Sequence, residues 1–111
     1  MSSEKLNDQI KELYQALISL ETEEDCKIFL EDLCTYKEVE QMAQRVSAAK
    51  LLIKGETYEE VIKKTKISSA TLSRVSKCVK YGEGYIALDK FISLSAPLEE
   101  LKIKNNYDLT A

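Results

Sequence analysis

The sequence predicts an all-α fold, and three observations support that prediction. The 111 residues include only three Gly and one Pro, the residues least compatible with a helix interior. Apolar residues recur at spacings of three and four, which is the spacing of one helix face. Thr residues stand before such stretches with acids in the first turn that follows, a signature of helix N-termini. A chain of this length is expected to form one domain.

We expect six helices, covering about residues 4–20, 23–34, 36–54, 58–65, 69–81 and 85–94. Thr22, Thr35 and Thr57 are placed to cap the second, third and fourth helices, and Ser68 or Ser69 to cap the fifth. Gly55 suits the C-terminal end of the third helix. The helical domain is therefore predicted to span residues 1–94, and residues 95–111 are predicted to form a mobile tail.

The first helix has a wide apolar stripe for so short a chain. We expect it to pack on another helix, of the same protomer or of a second one. The stripe consists of Leu6, Ile10, Leu13, Leu17 and Leu20. The other faces expected to be buried are Cys26, Phe29, Leu30 and Leu33 in the second helix, Val39, Met42, Ala43, Val46, Ala49 and Ile53 in the third, and Leu72, Val75 and Val79 in the fifth.

The charge is unevenly distributed. The net charge is −3, but residues 45–81 contain nine Lys or Arg and three Glu, net +6, whereas residues 1–44 carry −7 and residues 82–111 carry −2. A local field, rather than the total charge, attracts phosphate. A solvated helix face is the alternative explanation of the lysines.

Residues 57–81 combine two short helices and a tight turn with this basic charge, which predicts a DNA-binding helix-turn-helix. The major groove admits one helix, and short polar side chains at its N-terminal end approach the bases. Cations nearby would contact phosphates. The predicted DNA-binding residues are Thr57, Lys63, Lys64, Lys66, Ser68, Ser69, Ala70, Thr71, Ser73, Arg74, Lys77 and Lys80.

Other classes of function find little support in the sequence. There is no His, and Cys26, Cys34 and Cys78 form no C-x-x-C pair, so neither a metal site nor a disulfide framework is expected. We expect the three cysteines to be buried, reduced thiols. No sign of a catalytic motif is present, and the N-terminus lacks an apolar signal segment. A non-enzymatic cytoplasmic protein without membrane contact is predicted.

The run RVSAAKLLIKGETYEEV…ISSATLSRVSKCVK resembles the Trp repressor superfamily, in its YerC/YecD-type branch. The specific part is Arg45 to Lys80, within a resemblance covering about residues 25–92. The resemblance implies a bacterial repressor that forms an intertwined homodimer, in which each subunit presents one DNA-binding helix-turn-helix. Such a dimer reads two half-sites about 34 Å apart, a spacing known for helix-turn-helix dimers, the Trp repressor among them.

The resemblance also implies an effector pocket formed by Arg45, Thr71 and Arg74. Val75 stands where the repressor has a Gly, and its bulk would crowd an indole, so we expect a different small effector, or none, rather than tryptophan. Close to that position, Cys78 stands where the repressor has a serine. An ion pair of Arg45 with an acid such as Glu31, Glu38 or Glu40 is the preferred alternative to ligand binding.

Two hypotheses follow for the whole chain. The first is a homodimeric, sequence-specific transcription regulator, expected to be a repressor, which binds double-stranded DNA and has no metal or obligatory cofactor. The second is a helical dimeric protein-interaction module that docks a partner through its acidic N-terminal face and binds no specific DNA.

Overall fold

A computed structural model describes residues 3–88. This part of the chain contains five α-helices followed by one 3-10 turn, and no strand. The helices are α1 (Ser3–Ile18), α2 (Glu23–Leu33), α3 (Tyr36–Ile53), α4 (Tyr58–Thr65) and α5 (Ser69–Tyr81), and the 3-10 turn is Ile86–Leu88. The predicted all-α class is confirmed.

The helix count differs from the six that were expected. In place of the start of a sixth α-helix at 85–94, the chain makes a single 3-10 turn at Ile86–Leu88. The rest of that predicted helix and the predicted mobile tail at 95–111 lie outside the described residues. The chain divides into two compact units, Met1–Val39 and Glu40–Ala111. The expectation of one domain over 1–94 stays a prediction.

Four helices begin where the sequence places a cap. In α2 the Asp25 N–H donates to Thr22 Oγ1 at 3.0 Å, and the Asp25 carboxylate accepts from the Thr22 N–H. In α3 the Thr35 and Glu38 pair exchanges both bonds, at 2.8 and 3.1 Å. These reciprocal bonds satisfy backbone donors that a helix start leaves free.

The caps of α4 and α5 use one hydroxyl each. The Glu60 N–H donates to Thr57 Oγ1 at 3.2 Å, so Thr57 caps α4 as expected. Of the two serines considered for α5, Ser68 is the cap, since its Oγ accepts from the Thr71 N–H at 3.2 Å. The start of α5 is therefore fixed by a local hydrogen bond.

The core of the C-terminal unit sits where α3, α4 and α5 meet. It consists of Ala48, Ala49, Val61, Ile67, Leu72 and Val75, each at most 3% exposed. Partly buried Leu51, Leu52, Ile62, Val79 and Tyr85 pack against it. Small Ala residues on α3 let the neighbouring helices approach closely. Ile67 anchors the turn between α4 and α5 to this core.

The N-terminal unit has no such core. None of the residues of α1 or α2 is buried, and the predicted inward residues Leu13, Leu17 and Leu33 are 39%, 42% and 52% exposed. The apolar stripes are present, but nothing among the described residues of the single chain covers them fully.

Two expectations about burial are wrong. The cysteines are free, but Cys26 and Cys78 are exposed and Cys34 is half-buried. Cys26 lies within α2, which has no buried residue, and Cys34 is the C-cap of that helix. Cys78 lies within α5, on a side of the helix that is exposed. In α3 the fully buried pair is Ala48 and Ala49, while Val46 of the expected stripe is 40% exposed.

No helix in the described range is long and apolar enough to cross a membrane.

Candidate nucleic-acid interface

Two special backbone conformations direct the chain through the helix-turn-helix, one before α4 and one between α4 and α5. Gly55 has φ +94°, and the Gly55 and Glu56 N–H groups donate back to the Leu52 and Leu51 carbonyls at 3.0 and 3.1 Å. This is the Schellman ending of α3, and it turns the chain into α4. The bounds of α4 and the three-residue turn 66–68 agree with the sequence prediction.

The turn contains the second special conformation. Lys66 has φ 64° and ψ 17°, and its N–H donates to the Ile62 carbonyl at 2.9 Å. A left-handed conformation is costly for a residue with a Cβ. It is maintained because Ile67 is buried and Ser68 begins the next helix. The predicted position of Lys66 in the turn is confirmed, and its ammonium group stays on the exposed side.

The exposed face of α5 carries most of the predicted DNA-binding residues. Leu72, Val75 and Ser76 fix the opposite face in the core. Residues four apart lie one above another on a helix, so Ser69, Ser73 and Lys77 form one solvent-facing row. The exposed members of this face are Ser69, Ala70, Ser73, Arg74, Lys77 and Lys80. We call it the α5 polar face; it presents hydroxyls at its N-terminal end and cations further along.

The predicted residues outside this face include two capping residues and two lysines of α4. Thr57 and Ser68 use their hydroxyls to cap α4 and α5. Lys63 is exposed on α4. Lys64 instead holds the Glu56 carboxylate at 2.6 Å, and this hydrogen bond raises the pKa of Lys64 above its ordinary value of 10.5. The Lys64 charge is therefore partly engaged within the protein.

Thr71 and Arg74 meet Arg45 at a cleft on the edge of α5. The cleft has a volume of about 460 Å³ and is lined by Arg45, Thr71, Arg74, Val75, Cys78 and Tyr85. The three residues that the resemblance implied for an effector pocket are thus brought together, with Val75 and Cys78 beside them. We call this the arginine cleft. Sequence reasoning missed Tyr85, because nothing in its local pattern indicates where the chain goes after Gly84.

A second, smaller cleft lies between α3 and α4 and was not anticipated. It measures about 330 Å³ and is lined by Ser47, Lys50, Leu51, Lys54, Lys64 and Thr65. Lys50 and Lys54 are four residues apart near the end of α3, so they share one side of the helix. They add to the basic charge of the C-terminal unit.

The sequence matches known proteins over most of its length. A family model described as "Trp repressor protein" matches residues 8–90, so the match begins earlier in the chain than residue 25. The YerC protein of Bacillus subtilis (strain 168), itself described as uncharacterised, is 39% identical over 84 residues. The match covers 74% of this chain and 81% of YerC.

Two solved structures share the fold. A Trp repressor-like protein from Staphylococcus aureus is 36% identical with a TM-score of 0.73, covering 82% of this chain and 94% of that one. A TrpR-like protein from Eubacterium eligens ATCC 27750 is 34% identical with a TM-score of 0.73, covering 78% of this chain and 90% of that one. Matching sequence, helix order and fold lead to one conclusion: this chain belongs to the Trp repressor family.

Proposed function

We propose that this protein is a homodimeric, sequence-specific DNA-binding regulator of transcription, and that it acts as a repressor. The observation that supports the proposal best is the α5 polar face. Its core-facing side is fixed by Leu72 and Val75, while Ser69, Ala70 and Ser73 project to solvent at the N-terminal end of the helix. Small polar and methyl groups there suit the edges of bases in the major groove. Family membership supports the same reading.

Charge supports the proposal independently of shape. The segment 45–81 is net +6 in a chain of net charge −3. Lys63, Lys66, Lys77 and Lys80 are exposed on α4, the turn and α5, where they would contact phosphates on either side of the groove. Phosphate contacts position a protein on the duplex, and base contacts select the sequence.

The N-terminal unit supports the homodimer. Helix α1 has 16 residues and α2 has 11, yet neither has a buried residue in the single chain. Helices in globular proteins are stabilised mainly by packing an apolar face. A second copy offers the same stripes and would cover them symmetrically. Two copies would also provide two α5 helices, as a pseudo-palindromic site requires.

The proposal is tested by selecting bound duplexes from fragmented genomic DNA of the source organism at low salt. The affinity of a selected duplex is then measured by fluorescence anisotropy. For six to ten phosphate contacts, affinity should fall by about 10³ to 10⁵ between roughly 50 and 200 mM salt. Arg74→Ala and Ser73→Ala should each cost about 1–3 kcal/mol on the selected site if the side chain contacts a base.

Matched variants separate base contacts from general charge. Lys77→Ala should weaken binding to all sequences and reduce the slope of log affinity against log salt by about 1. Lys11→Ala, which removes the same charge from α1, should leave both quantities unchanged. If the wild-type protein retains no fragment even at low salt, the regulator is excluded, and the protein-interaction module becomes the working hypothesis.

A further inference from the structure

The cleft between α3 and α4 is basic and lies wholly within the C-terminal unit. Its volume is about 330 Å³, and no carboxylate is among its described lining residues. Two of its lysines are one turn apart on α3, and a third comes from α4. Ammonium groups bind phosphate as compact positive charges. We call it the lysine cleft; it is lined by Ser47, Lys50, Leu51, Lys54, Lys64 and Thr65.

The lysine cleft adjoins the start of α5. Thr65 is the last residue of α4 and lines the cleft, and its Oγ1 accepts from the Ile67 N–H at 3.3 Å. Lys66 follows Thr65 in the turn and is exposed, and Ser68 then caps α5. Cations therefore continue from the turn, next to the end of α5 that is proposed to approach the bases, into the cleft beside α3.

The charges of α4 are divided between its two ends. Its first turn contains Glu59 and Glu60, and its last turn contains Lys63 and Lys64. In a helix-turn-helix the first helix crosses the DNA backbone. The two carboxylates would repel phosphates, so the backbone is expected to pass the basic end of α4. Lys64 belongs both to that end and to the lysine cleft.

The Lys64 ammonium is already positioned at the cleft. It donates to the Glu56 carboxylate at 2.6 Å. An ammonium group has three donors, so it can hold Glu56 and contact a phosphate at the same time. The Glu56 charge nevertheless offsets part of the Lys64 charge. Lys54, which is exposed at the end of α3, is therefore the residue that tests the cleft most directly.

We propose that the lysine cleft binds the DNA backbone, adding at least one phosphate contact to those of α4, the turn and α5. The inference rests on the proposed function. Lys54 is the main contact residue. Its contact carries no sequence information, because phosphates are the same in every duplex. The cleft thus contributes affinity and positions the protein, while the α5 polar face reads the bases.

Lys54→Gln tests the contact by fluorescence anisotropy, on the selected duplex and on an unrelated duplex of the same length. The variant should bind both duplexes roughly two- to fivefold more weakly, the effect of losing one exposed ion pair. The slope of log affinity against log salt should fall by about 1. Lys54→Arg keeps the charge and should bind like wild type. Lys11→Gln, which removes the same charge from α1, should change neither quantity.

The position of the contact is tested by ethylation interference, in which an ethyl group removes the charge of a single phosphate of the selected duplex. Ethylation of the phosphate in the cleft should reduce binding of the wild type. Lys54→Gln should become insensitive to ethylation of that phosphate and remain sensitive at the phosphates contacted by Lys77. Lys77→Ala should show the reverse pattern.

Thermal melts establish that each variant is folded. Should Lys54→Gln not fold, Lys50→Gln, which removes the neighbouring cation of the cleft, takes its place with the same expectations. Wild-type DNA binding combined with equal behaviour of Lys54→Gln and Lys11→Gln refutes this inference and leaves the proposed function intact. A loss confined to the selected duplex would also overturn it, since that result indicates a base contact. If the wild type binds no duplex at any salt, the proposed function and this inference fail together.

Discussion

The two units of this protein bury their apolar residues in opposite ways. In the C-terminal unit, Val61 and Leu72 are completely buried, at 0% exposure. In the N-terminal unit, α1 repeats leucines at the same helical spacing, yet Leu13 and Leu17 remain 39% and 42% exposed. An amphipathic pattern thus identifies the face that needs a partner, but not which chain supplies it. The C-terminal unit finds its partners within the chain, and we attribute those of α1 to a second copy.

The largest effect on stability should come from the buried core of the C-terminal unit. Leu72→Ala removes buried methyl groups and leaves a cavity, so the free energy of unfolding should fall by about 2–5 kcal/mol. Urea denaturation followed by circular dichroism measures this loss. Lys77→Ala, on the exposed side of the same helix, should change stability by less than about 0.5 kcal/mol. A small effect of Leu72→Ala would mean that this core is not the stabilising one.

The α1 stripe tests whether a second copy covers the N-terminal unit. If a second copy covers it, Leu17→Ala should cost about 1.5–3 kcal/mol per protomer, the value of burying a leucine. The loss should also depend on protein concentration, since dimer stability does. Light scattering during gel filtration should show the variant dissociating at higher concentration than wild type.

Gln15→Ala, on the polar side of α1, is the matched control and should dimerise like wild type. If Leu17→Ala is as harmless as Gln15→Ala, and the protein is a 12.6 kDa monomer at all concentrations, the stripe needs no second copy and the dimer is refuted.

A smaller effect is expected at the start of α5. Ser68→Ala removes the hydroxyl that accepts from the Thr71 N–H, and loss of an N-cap costs about 1 kcal/mol. Ser68→Ala should therefore melt at a lower temperature than Ser69→Ala, which removes a neighbouring hydroxyl that is not the N-cap of α5. Equal melting temperatures for the two variants would contradict the assignment of Ser68 as the cap.

The turn should respond in the opposite direction. Lys66→Gly relieves the left-handed conformation at φ 64°, but it also makes the unfolded chain more flexible. A net stabilisation of up to about 1 kcal/mol is expected. Lys66→Ala removes the same charge and keeps the strain, so it should not be stabilised. If both variants melt alike, the backbone at this position carries no strain.

The smallest effect is a pH dependence at the start of α3. The Thr35 backbone N–H and hydroxyl hold the pKa of Glu38 below its ordinary value of 4.5. The carboxylate therefore stabilises the folded state above about pH 4.5, and this contribution disappears as the pH falls through the lower, folded pKa. The stability difference between wild type and Glu38→Ala should be constant at neutral pH and shrink in acid. Glu12→Ala, on α1, serves as the control, and an equal acid response of both variants would contradict the assignment.

Local signals explain what the sequence alone predicted correctly. The helix starts at Thr22, Thr35, Thr57 and Ser68 depend on hydrogen bonds between residues three apart, so their chemistry can be read from neighbouring letters. Gly55 likewise marks the end of α3, because a left-handed residue is easiest for glycine. The helix-turn-helix, built from such signals and the buried Ile67, was therefore predicted with its correct bounds.

Only the tertiary structure decided which faces were covered. The stripe of α1 and the buried row of α5 have the same spacing, and the cysteines have no local signal of burial. Lys66 in a left-handed turn could not be anticipated, because lysine has no preference for that conformation. The meeting of Arg45, Arg74 and Tyr85 joins residues far apart in sequence. Such contacts depend on how helices pack, and packing is settled by the whole core rather than by any short stretch of chain.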